Sequence, residues 1–133
     1  MNKTILLLFV YIIFPLNCLA VSVPDRNMLC TESDPDFKEI WHGFPKCNRN
    51  VPYWVRSWIY EQYDIPDSER HLYTIDHVIS LFVSGSNHVD NLKPQLRSES
   101  TAKLEYQLYL KLRDGELSQQ EVIDILLDAK GYF

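Results

Sequence analysis

The pattern of apolar and polar residues changes period several times along this 133-residue chain. Ile5 to Leu16 is an unbroken apolar run. It follows Lys3 and precedes small residues at Cys18 and Ala20. A membrane span needs about 20 apolar residues, so this run is too short to be one. Its layout is that of a secretory signal peptide cut after Ala20. Val21 to Pro52 has no clear period and reads as an irregular arm. Phe37, Trp41 and Phe44 are expected to pack it onto the rest. From Pro52 to Tyr63 the period is helical, with Val55, Trp58, Ile59 and Gln62 on one side. Asp64-Ile65-Pro66-Asp67 stops that helix, because the residue before a proline avoids the helical region. Leu72 to Val78 predicts a short strand. Ser84-Gly85-Ser86-Asn87 predicts a turn. Asn91-Leu92-Lys93 predicts a second short strand that Pro94 ends. Ser98 to Arg113 predicts a helix capped by Ser98 or Ser100, with Leu104, Leu108 and Leu112 inward. Asp114-Gly115 closes it. Ser118-Gln119-Gln120-Glu121 fits the capping box of a last helix, with Val122, Ile123, Leu126 and Leu127 inward.

Composition changes this picture in three ways. Removal of residues 1–20 leaves residues 21–133, a length that suits one domain. It also removes Cys18, so Cys30 and Cys47 remain as an even pair in an exported chain, which predicts a disulfide. Finally, loss of Lys3 reduces 13 basic residues to 12 against 18 acidic ones, a net charge of −6. A protein that held nucleic acid by its overall field would be basic. Any grip on a polyanion must be local, aided by a bound cation. No CxxC or other zinc-ligand spacing is present.

The chemistry concentrates in Tyr73 to Gln95, YTIDHVISLFVSGSNHVDNLKPQ. Asp76 can hold a hard metal ion. His77 can take a proton from water near neutral pH. Asn91 can brace the intervening loop, since its amide both donates and accepts. Successive strand residues point to opposite faces, so Asp76 and His77 share a site only if the strand breaks or twists. Each residue also has a plainer reading. His77 would be a satisfied core histidine, Asp76 a strand-end cap, and Asn91 a turn former.

The pattern Asp-His-x-Ile-x-Leu, a glycine-containing turn, Ser-Asn and Asn-Leu-x-Pro-Gln resembles the HNH endonuclease family, especially its small secreted bacterial members. The likeness runs from Cys47 to the C-terminus. It includes Cys47-Asn48-Arg49-Asn50-Val51 and Glu61-Gln62-Tyr63-Asp64-Ile65 upstream. Downstream it includes Lys103-Leu104-Glu105 and Gly115-Glu116-Leu117-Ser118. The resemblance implies an α+β fold with a ββα-metal core and flanking helices over residues 47–133, preceded by a disulfide-tied arm over residues 21–46. It implies a metal-dependent endonuclease acting on DNA or RNA, secreted or periplasmic, without stable membrane association. His77 would be the general base, Asn91 its positioning residue, and Asp76 a ligand of one divalent ion: Mg²⁺ first, with Mn²⁺, Zn²⁺ or Ni²⁺ as alternatives.

The family's remaining ligand, often His or Asn near the start of the following helix, has no counterpart in Ser98-Glu99-Ser100. Glu99 is the first candidate there, with Glu105 or His88 as substitutes. Ser80 and Ser84 also depart from the pattern, which often has proline and glycine at those places. Lys93, Arg97 and Lys103 form a candidate phosphate-contacting patch, or a solvated face. No groove-reading motif is evident, so little sequence specificity is expected. The alternative is a secreted binding module whose metal site has decayed.

Overall fold

The computed structural model describes residues 20–132. The expected signal peptide lies outside the described residues except for Ala20. Among the described residues, no helix is long and apolar enough to cross a membrane.

The chain is a mixture of helices and strands. Strands β1 (Phe37–Trp41) and β2 (Phe44–Cys47) form one antiparallel pair, and β3 (Tyr73–His77) and β4 (Leu92–Leu96) form a second. Helix α1 (Tyr53–Gln62) lies between the two pairs in sequence. Helices α2 (Ala102–Arg113) and α3 (Gln119–Ala129) follow the second pair. Short 3₁₀ turns link these elements.

The β1–β2 hairpin corrects the expectation of an irregular arm. His42 and Gly43, both with positive φ, make its two-residue turn, the geometry that tight hairpins favour. A register shift between Phe37 and Glu39 breaks the alternation that would have announced the strands. The Cys30–Cys47 disulfide ties the end of β2 to the preceding segment. Trp41 stacks on Tyr109 of α2 at 5.9 Å between ring centres and meets Phe44 edge-on at 5.7 Å, which fixes the hairpin to the helical layer.

Two apolar cores result. The larger gathers Met28, Phe44, Val78, Ile79, Val83, Leu108 and Leu112 with the α3 face of Val122, Ile123, Leu126 and Leu127. The smaller holds Val55 and Ile59 of α1 against Ile75 and Leu92. Strand β3 enters the smaller core through Ile75, and the residues just after it, Val78 and Ile79, enter the larger. The capping box at Ser118 and Glu121 is present with both hydrogen bonds.

Two expected boundaries and one buried face differ. Strand β4 runs through Pro94, which pairs with Ile75. In a two-stranded sheet each strand has an open side, where a residue without an N–H is tolerated. Helix α2 begins at Ala102 rather than Ser98, because Arg97–Glu99 makes a separate 3₁₀ turn. Trp58 is 45% exposed, so α1 buries a narrower stripe than its period suggests.

Candidate functional site

Strand β3 carries Asp76 and His77 in adjacent positions, and the strand neither breaks nor bulges there. Asp76 pairs with Lys93 and His77 with Leu92 in regular register. The two side chains therefore leave on opposite faces and share no partner.

On the first face, His77 is buried and both ring nitrogens are engaged. Nδ1 lies 3.0 Å from Nη1 of Arg49, and Nε2 lies 3.0 Å from Oδ1 of Asn87. A guanidinium can only donate, so Nδ1 accepts and the neutral ring carries its proton on Nε2. The Asn87 amide is fixed in the matching orientation. Its Nδ2 donates to the Asn48 carbonyl at 2.7 Å and to Asp36 at 3.1 Å. Its Oδ1 also accepts from the Asn50 amide at 3.0 Å. Arg49 is anchored by a second bond, from Nη2 to the Ile75 carbonyl at 2.9 Å, yet the residue as a whole is exposed. Burial pushes the His77 imidazole down to about 4; the Asn87 bond opposes this, and the charges of Arg49 and Lys130 add to it. The ring is neutral at pH 7, with its lone pair on Nδ1 covered by an arginine at the protein surface.

The loop between β3 and β4 depends on Asn91, which is fully buried. Its Oδ1 accepts from the Ile79 amide at 2.8 Å, and its Nδ2 donates to the carbonyls of Ile79 at 3.0 Å and Ser86 at 2.9 Å. Its own carbonyl accepts from the Val78 amide at 2.8 Å. Asn91 thus holds the backbone that follows His77 and does not touch the imidazole. Ser84 sits at φ 78, a left-handed position that favours glycine. At Gly85, a Cβ would come within 1.7 Å of the Ile79 carbonyl oxygen, so a side chain is excluded there.

The opposite face holds a buried cation. Lys130, whose side chain is fully buried, places Nζ 2.8 Å from Asp76 Oδ2 and 2.9 Å from Glu105 Oε1. The same ammonium donates to the His77 carbonyl at 2.7 Å. Lys130 reaches this point because α3 ends in a Schellman turn. Gly131 takes φ 78, its amide returns to Asp128, and the Tyr132 amide returns to Leu127. Thr101 also donates to Glu105 at 2.8 Å. Burial raises the Asp76 carboxyl above its ordinary value against the pull of Lys130. Burial acts on Glu105 in the same sense, but the Lys130 charge and the bonds from Lys130 and Thr101 outweigh it and hold that carboxyl below its usual range. Both carboxylates lie within 3 Å of the same ammonium.

The divalent ion implied by the resemblance was expected on Asp76 and Glu99. The convergent acids are instead Asp76 and Glu105. Glu99 is exposed at the rim of a cleft of about 530 Å³ that Lys93 and Lys130 also line. His88 is exposed on the loop surface, paired with Asp90. The oxygens around Asp76 already hold Lys130, so the residues as arranged do not fit a resident metal ion. Cys30, Asp34 and Cys47 also cluster, but the sulfurs are joined in the disulfide, and a thiolate is what binds metal.

The basic patch does not assemble as a unit. Lys93 donates to the Lys130 carbonyl at 2.7 Å and lies over the Tyr132 ring. Arg97 donates to the His71 carbonyl at 3.1 Å. Lys103 is exposed on α2.

Asp36 and Lys130 give little signal in sequence. Arg49 and Asn87 fall within segments that carry the family resemblance, but nothing local assigns either of them to the imidazole. Lys130 before Gly131 reads as an ordinary basic residue at a helix end. No protein-family model, curated protein or solved structure matches this chain.

Proposed function

We propose that this chain is an exported, HNH-like phosphodiester hydrolase acting on DNA or RNA, with His77 as its base and β3, β4 and α2 as a ββα core. One observation carries the reading. A neutral imidazole, oriented by Asn87 through Nε2–H, directs its basic nitrogen at the guanidinium of the exposed Arg49. Arginine is suited to phosphate, which it binds bidentately. An arriving phosphodiester would draw Arg49 onto its non-bridging oxygens and uncover Nδ1. Nδ1 then takes a proton from water, the resulting hydroxide attacks phosphorus, and the departing ester oxygen takes a proton from solvent. Arg49 offsets the added charge on the phosphoryl oxygens. Asn91 keeps the following loop in place.

A second reading is a secreted binding module on the same fold. It is favoured by the engagement of both His77 nitrogens and by the ammonium of Lys130 between the two acids.

The test is plasmid nicking by the oxidised protein, with Mg²⁺, Mn²⁺ or EDTA, beside His77→Ala and Arg49→Ala. Nicking that is lost in His77→Ala and weakened in Arg49→Ala supports the hydrolase. A well-folded wild type that cleaves under no condition points to the binding module.

A further inference from the structure

The site behind His77 is built for a cation, and the protein supplies that cation itself. Three oxygens from three places converge on one point: Asp76 Oδ2 from β3, Glu105 Oε1 from α2 and the His77 carbonyl. The fourth element, the end of α3, brings the Lys130 ammonium to that point, where it contacts each oxygen at 2.7 to 2.9 Å. Ser80 lies at the same place: it is 4% exposed, and its hydroxyl is close enough to the Glu105 carboxylate to help hold that group below its usual range. The close partner of Asp76 Oδ2 is the Lys130 ammonium at 2.8 Å.

An all-oxygen donor set of this kind suits a hard divalent ion. Charge points the same way. Two carboxylates share one ammonium, so removing it would leave two half-buried acids with only Lys93, near Asp76, to offset them.

We infer that Lys130 is the resident cation of this site, that its ammonium excludes divalent metal from the native protein, and that its removal opens a divalent-ion site on Asp76 and Glu105. In this arrangement the lysine does the structural work of a metal: it ties β3, α2 and the end of α3 together without depending on metal supply outside the cell. The inference does not rest on the hydrolase reading, because metal binding is measured with no substrate present.

The experiment is calorimetric titration of the full oxidised chain with Mn²⁺ alone. The comparison is among wild type, Lys130→Ala and Lys130→Ala/Asp76→Asn, with folding checked by circular dichroism. Wild type is expected to show no saturable binding. Lys130→Ala should gain one Mn²⁺ site, with affinity increased roughly tenfold or more, and lose it in the double variant. A Lys130→Ala chain that folds only with Mn²⁺ supports the inference equally. Saturable binding to wild type that Asp76→Asn abolishes would overturn it. So would a folded Lys130→Ala that binds no ion. If Lys130→Ala does not fold under any condition, Lys130→Met is read by the same criteria; if neither folds, the wild-type titration decides.

Discussion

The two faces of β3 make opposite use of ionisable groups. On one, His77 stays neutral because the protein withholds water and places Arg49 at its only free lone pair. On the other, Asp76 and Glu105 are held at the buried ammonium of Lys130. The two residues are adjacent in sequence and a strand's thickness apart in space. The His77 face can still open, since its covering residue is exposed and held by a few hydrogen bonds. The Asp76 face is tied more firmly, since its cation is fully buried and comes from a helix end held by a Schellman turn. The pleat of the strand gives these neighbouring residues separate surroundings.

The sharpest way to break this contrast is to remove the buried cation. Lys130→Ala should destabilise the oxidised protein by about 3 kcal/mol in urea unfolding, because it removes a fully buried ammonium from two half-buried carboxylates. A loss comparable to that of a surface lysine would mean that water reaches this face freely. Next comes Asn91→Ala, which orphans the Ile79 amide and two carbonyls and should cost about 3 kcal/mol.

The His77 face is tested by acid. His77 has a folded value of about 4 against an ordinary 6.5. The unfolded chain therefore takes up a proton first as pH falls. Stability from this group is complete above about 6.5 and is lost progressively as pH falls toward about 4. The linkage amounts to at most roughly 3 kcal/mol. Asp76 shifts in the opposite sense and offsets part of the total, so the comparison is between melts of wild type and His77→Gln from pH 4 to 8. The part of the acid slope due to His77 should vanish in the variant. Arg49→Ala should have a smaller effect, moving the imidazole titration upward because a neighbouring positive charge is gone and water gains access to Nδ1. NMR of the His77 ring protons reads this directly. Smallest is Ser118→Ala, remote from both faces, which removes one cap and should cost about 1 kcal/mol.

The legible parts of the fold were those with a local cause. Helix α3 and its capping box follow from spacing within a single turn. Strand β3 and the turn after it follow from residues a few positions apart. The β1–β2 hairpin was not legible, because its register shift spoils the alternation and Pro45 lies inside β2. Within the site, Asp76, His77 and Asn91 stood out as residue types in sequence. The roles of their partners did not: Asn87 and Arg49 fall in the quoted motifs with no partner assigned, and Lys130 reads as a helix end.

The sequence by itself determined which residues could carry charge, protons and caps, because those are properties of side chains and of spacings shorter than a helical turn. It also determined that Cys30 and Cys47 were available to pair with each other, and the folded chain joins them. Only the tertiary structure decided what each ionisable group meets. Lys130 lies 54 residues after Asp76, and Arg49 meets His77 across 28. Those contacts arise from packing the end of α3 and the segment after β2 against the two faces of β3. No local pattern records them, because the energy that forms them comes from the apolar cores on either side.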